Sequence, residues 1–179
     1  MSVQTIFDRY YPEGDPIRPI LWTHSRLVAD KALEVGRHIG NVDLAFIEEA
    51  ALLHDIGIRF VHAPKIHCHG EADYICHGPI GRELLEKEGL PQPALACDRH
   101  TGVGITIEDI RAQELPIPER DMTPQSLEEQ IICYADTFYS KNPKRLTTER
   151  EVKKIIKGLE RFGDHKVAIF RDWHHRFEG

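Results

Sequence analysis

The chain has 179 residues, which suffices for one domain with a sizeable hydrophobic core. Its 23 basic and 29 acidic residues give a net charge of −6, which argues against general binding to nucleic acids or membrane surfaces. The sequence shows no signal peptide, no apolar window of ~18 residues and no CxxC pair among its four cysteines, so we expect a reduced, cytoplasmic protein.

The spacing of apolar residues predicts a series of helices with almost no strand signal. A short helix is expected at 3–10 and a long one at 20–39. Asn41 or Asp43 is expected to cap a third helix, which carries the apolar run AALL and stops at Gly57.

Prolines and glycines mark the helices that follow. Pro79 suits the first position of a fourth helix, and Gly89 suits the position after its end. Pro93 opens a short fifth helix that ends near Gly102, and a long helix is expected at 123–140.

Two further helices are predicted in the C-terminal part. Thr148 and Glu151 form a capping-box sequence ahead of a helix that Gly163 closes, and Asp164 can cap the last helix. The whole pattern predicts an all-α fold of about seven or eight helices in a single domain, residues 1–179.

Two connections are long for a compact domain, and such segments are usually functional or disordered. The first, 59–76, carries His62, His67 and His69, which we expect to be loop residues near the mouth of a pocket. The second, 102–124, has a short helical piece in its middle and is a candidate lid or dimer contact.

Histidine and aspartate side chains stand where apolar residues are expected. His54 and Asp55 end the apolar third helix, and burying them costs several kcal/mol, roughly, unless each is paired or coordinated. The carbonyl end of a helix carries a partial negative charge, which disfavours a carboxylate there. A bound divalent cation would make the local charge positive and so favour the carboxylate. Similar inward positions or helix ends give the full set of candidate metal ligands: His24, His54, Asp55, His77, His100 and Asp136.

For any single histidine on an apolar face, the commoner explanation is a buried core residue whose hydrogen bonds are made within the protein. Six such residues together, with two carboxylates inside apolar helices, favour a metal centre. The spacing matches neither a zinc finger nor HExxH, so an open catalytic site is favoured over a closed structural one.

The order of these residues, His24, then His54–Asp55, then Asp136, resembles the HD-domain superfamily of metal-dependent phosphohydrolases, in which HDIG at 54–57 is a common variant. The resemblance covers about 20–140 and implies a single HD-domain helical bundle with its core there, and we expect the C-terminal helices at 147–177 to pack on that core. Within the family, the motifs HGPIG, RHTG and YADTFYS are similar to those of HD-type symmetrical diadenosine tetraphosphate hydrolases and of small uncharacterised HDIG proteins. A lysine that often follows HDxG in cyclic-dinucleotide phosphodiesterases is replaced here by Ile58 and Arg59.

The resemblance implies one or two divalent metal ions. One would be held by His24, His54, Asp55 and Asp136, and the second by Asp55, His77 and His100, with Asp55 as the bridge. Iron or manganese suits mixed imidazole and carboxylate ligands, and zinc, magnesium, cobalt and nickel stay open. His54 and Asp55 would be the catalytic residues in hydrolysis of a phosphate ester or phosphoanhydride by metal-activated water.

The expected partner is a small phosphorylated molecule such as a nucleotide, and a homodimer is left open. Arg82 and Arg99 are the preferred candidates for binding its phosphates, ahead of Arg26 and Lys141. Any one of them could equally be a solvated surface charge.

Three alternatives stay open at this point. Dinuclear-iron relatives can be oxygenases, which dependence of turnover on oxygen would reveal. A nucleotide-binding regulator without turnover is disfavoured because all six candidate metal ligands are present. A purely structural helical protein would contain no metal and would lose no stability on chelation.

Overall fold

A computed structural model describes residues 2–179. The all-α prediction is confirmed: within this range the chain forms nine α-helices, and the strands are limited to one short antiparallel pair in which His62 faces His69. The elements are α1 Val3–Tyr10, α2 Arg18–Ile39, α3 Leu44–Leu53, β1 His62–Ala63, β2 Cys68–His69, α4 His77–Lys87, α5 Pro91–Arg99, α6 Ile107–Ala112, α7 Leu127–Asp136, α8 Val152–Leu159 and α9 Asp164–Glu178.

Two large buried clusters form most of the core, and a third, small one contains Ile110, Ile117 and Met122. The larger joins α2, α3 and α7 to the C-terminal helix α9, where Phe170 stacks on Tyr134 at 5.6 Å between ring centroids. The second large cluster lies under α1 and the start of α2 and covers the end of α3. None of the helices in the described range is both long and apolar enough to cross a bilayer.

The end of α3 differs from the prediction. The α-helix stops at Leu53 instead of Gly57, and a 3-10 helix follows at Ile56–Phe60. Tyr11 holds this tighter turn, because its hydroxyl donates a hydrogen bond to the carbonyl of Ile56 at 2.7 Å and accepts one from the N–H of Arg59. Asp55 therefore lies between two helices and not in the last turn of one.

Some predicted caps are confirmed and others are wrong. The Asp43 side chain accepts a hydrogen bond from the N–H of Phe46 and caps α3 as expected. The predicted capping box of Thr148 and Glu151 does not form, because the N–H of Arg150 bonds the carbonyl of Phe138 and keeps this segment out of the helix.

Further predicted helix boundaries are also wrong. The helix expected at 123–140 is α7, which begins after a Ser126 cap and ends at Asp136. Prolines 79 and 93 stand at the third position of α4 and α5 instead of opening them, and Asp164 is the first residue of α9, whose cap position is Gly163.

Candidate metal centre

The six candidate metal ligands come together from five parts of the fold. His24 lies within α2, and the other five lie at helix ends: His54 and Asp55 after α3, His77 at the start of α4, His100 after α5 and Asp136 at the end of α7. The three residues His24, His54 and Asp55 are fully buried, and the Asp136 side chain is 16% exposed. The helix ends thus direct side chains that are distant in sequence into one buried cluster.

The carboxylate of Asp55 lies between two groups of imidazoles. Its Oδ2 is 3.2 Å from Nε2 of His24 and 3.1 Å from Nε2 of His54. Its Oδ1 is 3.5 Å from Nε2 of both His77 and His100. Asp136 joins the first group, because its Oδ1 is 3.0 Å from Nε2 of His24.

Main-chain hydrogen bonds set the orientation of three of the imidazoles. Nδ1 of His54, His77 and His100 lies 2.6, 2.6 and 2.7 Å from the carbonyl oxygen of the residue three positions earlier. A carbonyl accepts only from N–H, so Nδ1 carries the proton and Nε2 carries a lone pair in the neutral ring. This is the usual orienting contact for a histidine that binds a metal through Nε2.

The resulting arrangement fits a cation. Nε2 of His77 and Nε2 of His100 face each other at 3.0 Å, and those of His24 and His54 face each other at 3.3 Å. The His77 and His100 rings, if neutral in this tautomer, point lone pairs at one another, which is unfavourable unless a positive charge lies between them. Among the described residues, Oδ1 of Asp55 and Oδ1 of Asp136 are buried without a hydrogen-bond partner. Neighbouring ligands on a metal at bond lengths of about 2.0 to 2.2 Å lie about 3 Å apart, as these atoms do.

The pKa values show how strongly the cluster attracts positive charge. Burial alone would lower the pKa of His54, yet the carboxylates of Asp55 and Asp136 raise it to about 10. Burial and the neighbouring His100 lower the pKa of His77 to about 3, so this ring is neutral at physiological pH. The half of the cluster with two carboxylates therefore favours a positive charge.

Gly57 allows the two halves of the cluster to meet. A Cβ at this position would lie 2.2 Å from the carbonyl oxygen of His77 and 2.5 Å from the nitrogen of Gly81. Only glycine lets the 3-10 helix approach the start of α4 this closely. The position of His77 beside Asp55 thus depends on the glycine of the HDIG sequence.

Lys141 is the predicted phosphate-binding residue that contacts the cluster. After α7 ends, the chain turns back and brings Nζ of Lys141 to 2.6 Å from Oδ2 of Asp55, with the lysine side chain 12% exposed. Burial opposes its charge, but Asp55, Tyr74 and Asp136 raise the pKa of this lysine above its usual range.

The three arginines are bonded to carboxylates of the protein. Arg82 bonds Asp98 at 3.0 Å and also Glu86, and Arg99 bonds Glu129 at 2.9 Å. The remaining one, Arg26, bonds Asp30 and Glu48 near the surface.

Sequence reasoning missed Tyr74. Its ring packs on the ring of His77 at 4.9 Å and is 44% exposed at the mouth of the cluster. It lies in the connection 59–76 without any motif around it, so no local pattern distinguishes it. His62 lines the same opening as Tyr74, whereas His67 and His69 line a separate depression.

Charged side chains hold the segment 102–124 against α5 and α9. Arg120 forms a bidentate pair with the buried Asp98 of α5, at 3.0 and 2.8 Å. The buried Lys166 of α9 donates to the carbonyl of Gly104 at 2.7 Å and pairs with Asp109 of α6. Asp98, which holds both Arg82 and Arg120, was not singled out by the sequence.

Comparison with known proteins gives a family match and several relatives. The family model described as HD domain matches residues 21–140. An uncharacterized protein of Methanocaldococcus jannaschii is 36% identical over 141 residues, which cover 76% of this chain and 75% of that protein. Two proteins named tRNA (cytidine(56)-2'-O)-methyltransferase, from Thermoplasma volcanium and Picrophilus torridus, are 30% and 33% identical. The matches cover 78% and 63% of this chain but only 38% and 31% of the methyltransferases.

Solved structures show the same fold. The HD domain of the L. monocytogenes phosphodiesterase PgpH superposes with a TM-score of 0.55 at 19% identity, covering 95% of this chain and 93% of that chain. The complex of that domain with cyclic-di-AMP superposes with a TM-score of 0.56 at 19% identity, covering 96% and 94%.

Proposed function

This chain belongs to the HD domain family of metal-dependent phosphohydrolases, and on that premise we propose that it cleaves a phosphate ester or phosphoanhydride in a nucleotide or similar small molecule. The observation that carries the proposal is the position of Asp55, whose two oxygens face separate pairs of imidazole nitrogens. The structural neighbour that carries cyclic-di-AMP supports a nucleotide as the substrate. The narrower resemblance to diadenosine tetraphosphate hydrolases stays a prediction.

We assign the ligands by the oxygen of Asp55 that each group faces. His24, His54, Asp136 and Oδ2 of Asp55 would hold one divalent ion, and His77, His100 and Oδ1 of Asp55 would hold a second. The mixed nitrogen and oxygen set favours iron or manganese. When bound, such ions lower the pKa of water towards neutrality and neutralise the charge of phosphoryl oxygens.

The chain's own residues would orient the substrate. The Lys141 ammonium beside Asp55 would donate a hydrogen bond to a phosphoryl oxygen at the reacting end and offset its negative charge. Arg82, Arg99 and Arg26 are the other phosphate-binding candidates, but their carboxylate partners lie outside the metal-ligand cluster, whereas the partner of Lys141 is Asp55 itself. We therefore place Lys141 first.

The test combines metal analysis with a substrate screen. Protein purified without a metal-chelating tag is analysed for metal, and phosphate release is measured on nucleotides, cyclic nucleotides and dinucleotides, with and without oxygen. We expect bound metal and oxygen-independent hydrolysis in wild type, loss of both in Asp55→Asn, and retention in Asp172→Asn, an exposed carboxylate of α9. Absence of metal after reconstitution would contradict the proposal, and so would turnover that requires oxygen and releases no phosphate.

A further inference from the structure

A broad cleft lies beside the metal-ligand cluster. Its volume is about 780 Å³, within the usual range for small-molecule sites. Tyr74 and Lys141 belong both to the cleft wall and to the cluster, since Tyr74 packs on His77 and Lys141 contacts Asp55. A molecule lying in the cleft would therefore have one end at the proposed site of reaction.

Two short turns of similar sequence form parts of the cleft wall. Each is a 3-10 helix that begins with the dipeptide Pro-Lys: Pro64–Ile66 from the connection after α3, and Pro143–Arg145 from the connection after α7. Proline fixes its own φ at the first position of each turn and also restricts the residue before it, so the start of each turn is rigid. Lys65 and Lys144 are thus presented by two stiff turns, although the turns are far apart in sequence.

The charge of the cleft is opposite in sign to that of the whole chain. The described residues that line it include Lys65, Lys141, Lys144 and His62, and no aspartate or glutamate. The whole chain has a net charge of −6. Lys65 and Lys144 are exposed, and no carboxylate among the described residues pairs with either ammonium, in contrast to Arg82, Arg99 and Arg26. Unpaired cations around a concave site concentrate anions there.

We propose that Lys65 and Lys144 bind phosphate groups of the substrate that are not cleaved, while its reacting phosphate lies at Lys141 and the metal ligands. The substrate class is then a nucleotide with two or more linked phosphates, and not a nucleoside monophosphate. This inference rests on the proposed function, because the cleft lies beside the cluster assigned to catalysis.

Binding of inorganic polyphosphate tests the cleft without relying on turnover. The metal is stripped with a chelator and removed by dialysis, and titration calorimetry at low salt measures Kd for tripolyphosphate and for orthophosphate. The variants are the double substitution Lys65→Gln with Lys144→Gln and, as a matched control, Lys87→Gln, an exposed lysine in the last turn of α4. Because all three lysines are exposed, we expect every variant to keep the wild-type Tm.

We expect wild type to bind tripolyphosphate about tenfold more tightly than orthophosphate, and the double variant to lose that difference. Lys87→Gln should bind as wild type does. In the metal-loaded enzyme, the double variant should raise KM for the best di- or triphosphate about tenfold and leave kcat nearly unchanged.

The two proposals can fail separately. Unchanged polyphosphate binding in the double variant would overturn the role of the cleft, and hydrolysis by wild type would then still support the phosphohydrolase. Lysine-dependent polyphosphate binding in a protein that hydrolyses no phosphate compound would support the cleft and contradict the catalytic proposal.

Discussion

Nζ of Lys141 lies 2.6 Å from Oδ2 of Asp55, the carboxylate that connects the two groups of imidazoles. The ammonium is therefore part of the anionic cluster, although Lys141 follows α7 by five residues and has no motif of its own. Its charge is retained in spite of burial because carboxylates surround it. Replacing Lys141 should therefore change the charge of the cluster without removing any candidate metal ligand.

We expect Lys141→Met to lower kcat/KM on the best phosphate substrate about 100-fold, because a positive charge beside the reacting phosphate is lost. Metal content should not fall, since the metal ligands are intact. Steady-state kinetics and elemental analysis of the same preparation provide the check, with Lys87→Met as the control. Kinetics of Lys141→Met within threefold of wild type, roughly, would contradict the assignment.

Arg82→Gln is expected to behave differently. The Arg82 guanidinium already bonds Asp98 and Glu86, so we expect KM to change less than about threefold. The free energy of unfolding should fall by about 1 kcal/mol, because Asp98 is 1% exposed and keeps only Arg120 as its partner. Urea denaturation and kinetics separate the two effects, and a tenfold rise in KM would instead support direct phosphate binding by Arg82.

Removing ligands one at a time should reveal how the metals are shared. We expect about two equivalents of metal in wild type, one in His100→Ala and none in Asp55→Asn, because Asp55 faces both groups. Elemental analysis after reconstitution and desalting gives the number of metal ions per chain. If Asp55→Asn kept as much metal as His100→Ala, the bridging role of Asp55 would be wrong.

Gly57→Ala should disrupt the metal-ligand cluster by displacing the backbone at the start of α4. The new methyl group would overlap the His77 carbonyl oxygen, so the start of α4 has to move and His77 leaves Asp55. We expect loss of about one metal equivalent and a drop of several kcal/mol, roughly, in stability. Gly158→Ala is the matched control, because a Cβ added at this position of α8 would have no neighbouring atom within 4 Å, and it should be neutral or stabilising.

The pair of Asp109 and Lys166 gives a prediction about pH. Burial would raise the pKa of Asp109, but Lys166 and the N–H of Thr106 lower it below the ordinary value of 3.8. The ionised carboxylate therefore stabilises the fold above about pH 3.8, and this contribution is lost as pH falls through the lowered pKa. We expect Asp109→Asn to lower the free energy of unfolding by about 2 kcal/mol at pH 7, because Lys166 stays buried without its counterion.

Urea denaturation of wild type and Asp109→Asn between pH 7 and pH 3 tests this expectation. The difference between the two proteins should shrink at the acid end, where Asp109 becomes protonated and resembles asparagine. Lys166→Met should cost less than Asp109→Asn, since the Asp109 carboxylate that remains is partly exposed and still accepts a hydrogen bond from the N–H of Thr106. A difference that stays constant with pH would show that the ion pair does not contribute.

The sequence was most informative where burial and polarity conflict. His54 and Asp55 follow a run of apolar residues, and that conflict is visible without any tertiary information. The same reasoning selected all six residues that converge around Asp55, and the order of the motifs indicated the family that the comparison confirms. These features are local or periodic, so one chain suffices to recognise them.

Pairings between distant residues were not accessible in this way. Arg99 seemed a good phosphate ligand because it precedes His100, but Glu129, thirty positions away, accepts its hydrogen bonds. The capping box at Thr148 failed for a similar reason, since the competing acceptor is the carbonyl of Phe138. The contact of Lys141 with Asp55 was equally inaccessible, because only the turn after α7 brings the lysine back to that carboxylate.

The three main-chain acceptors of His54, His77 and His100 have a consequence for how this site can vary. In many metal centres a second side chain orients the ligand, and mutation of that side chain weakens the site. Here the acceptors are carbonyl oxygens of Ala51, Tyr74 and Cys97, which every amino acid supplies. Substitutions that the packing at these three positions accommodates therefore leave the tautomer of each imidazole unchanged, so the orientation of the imidazoles does not depend on which side chains stand there.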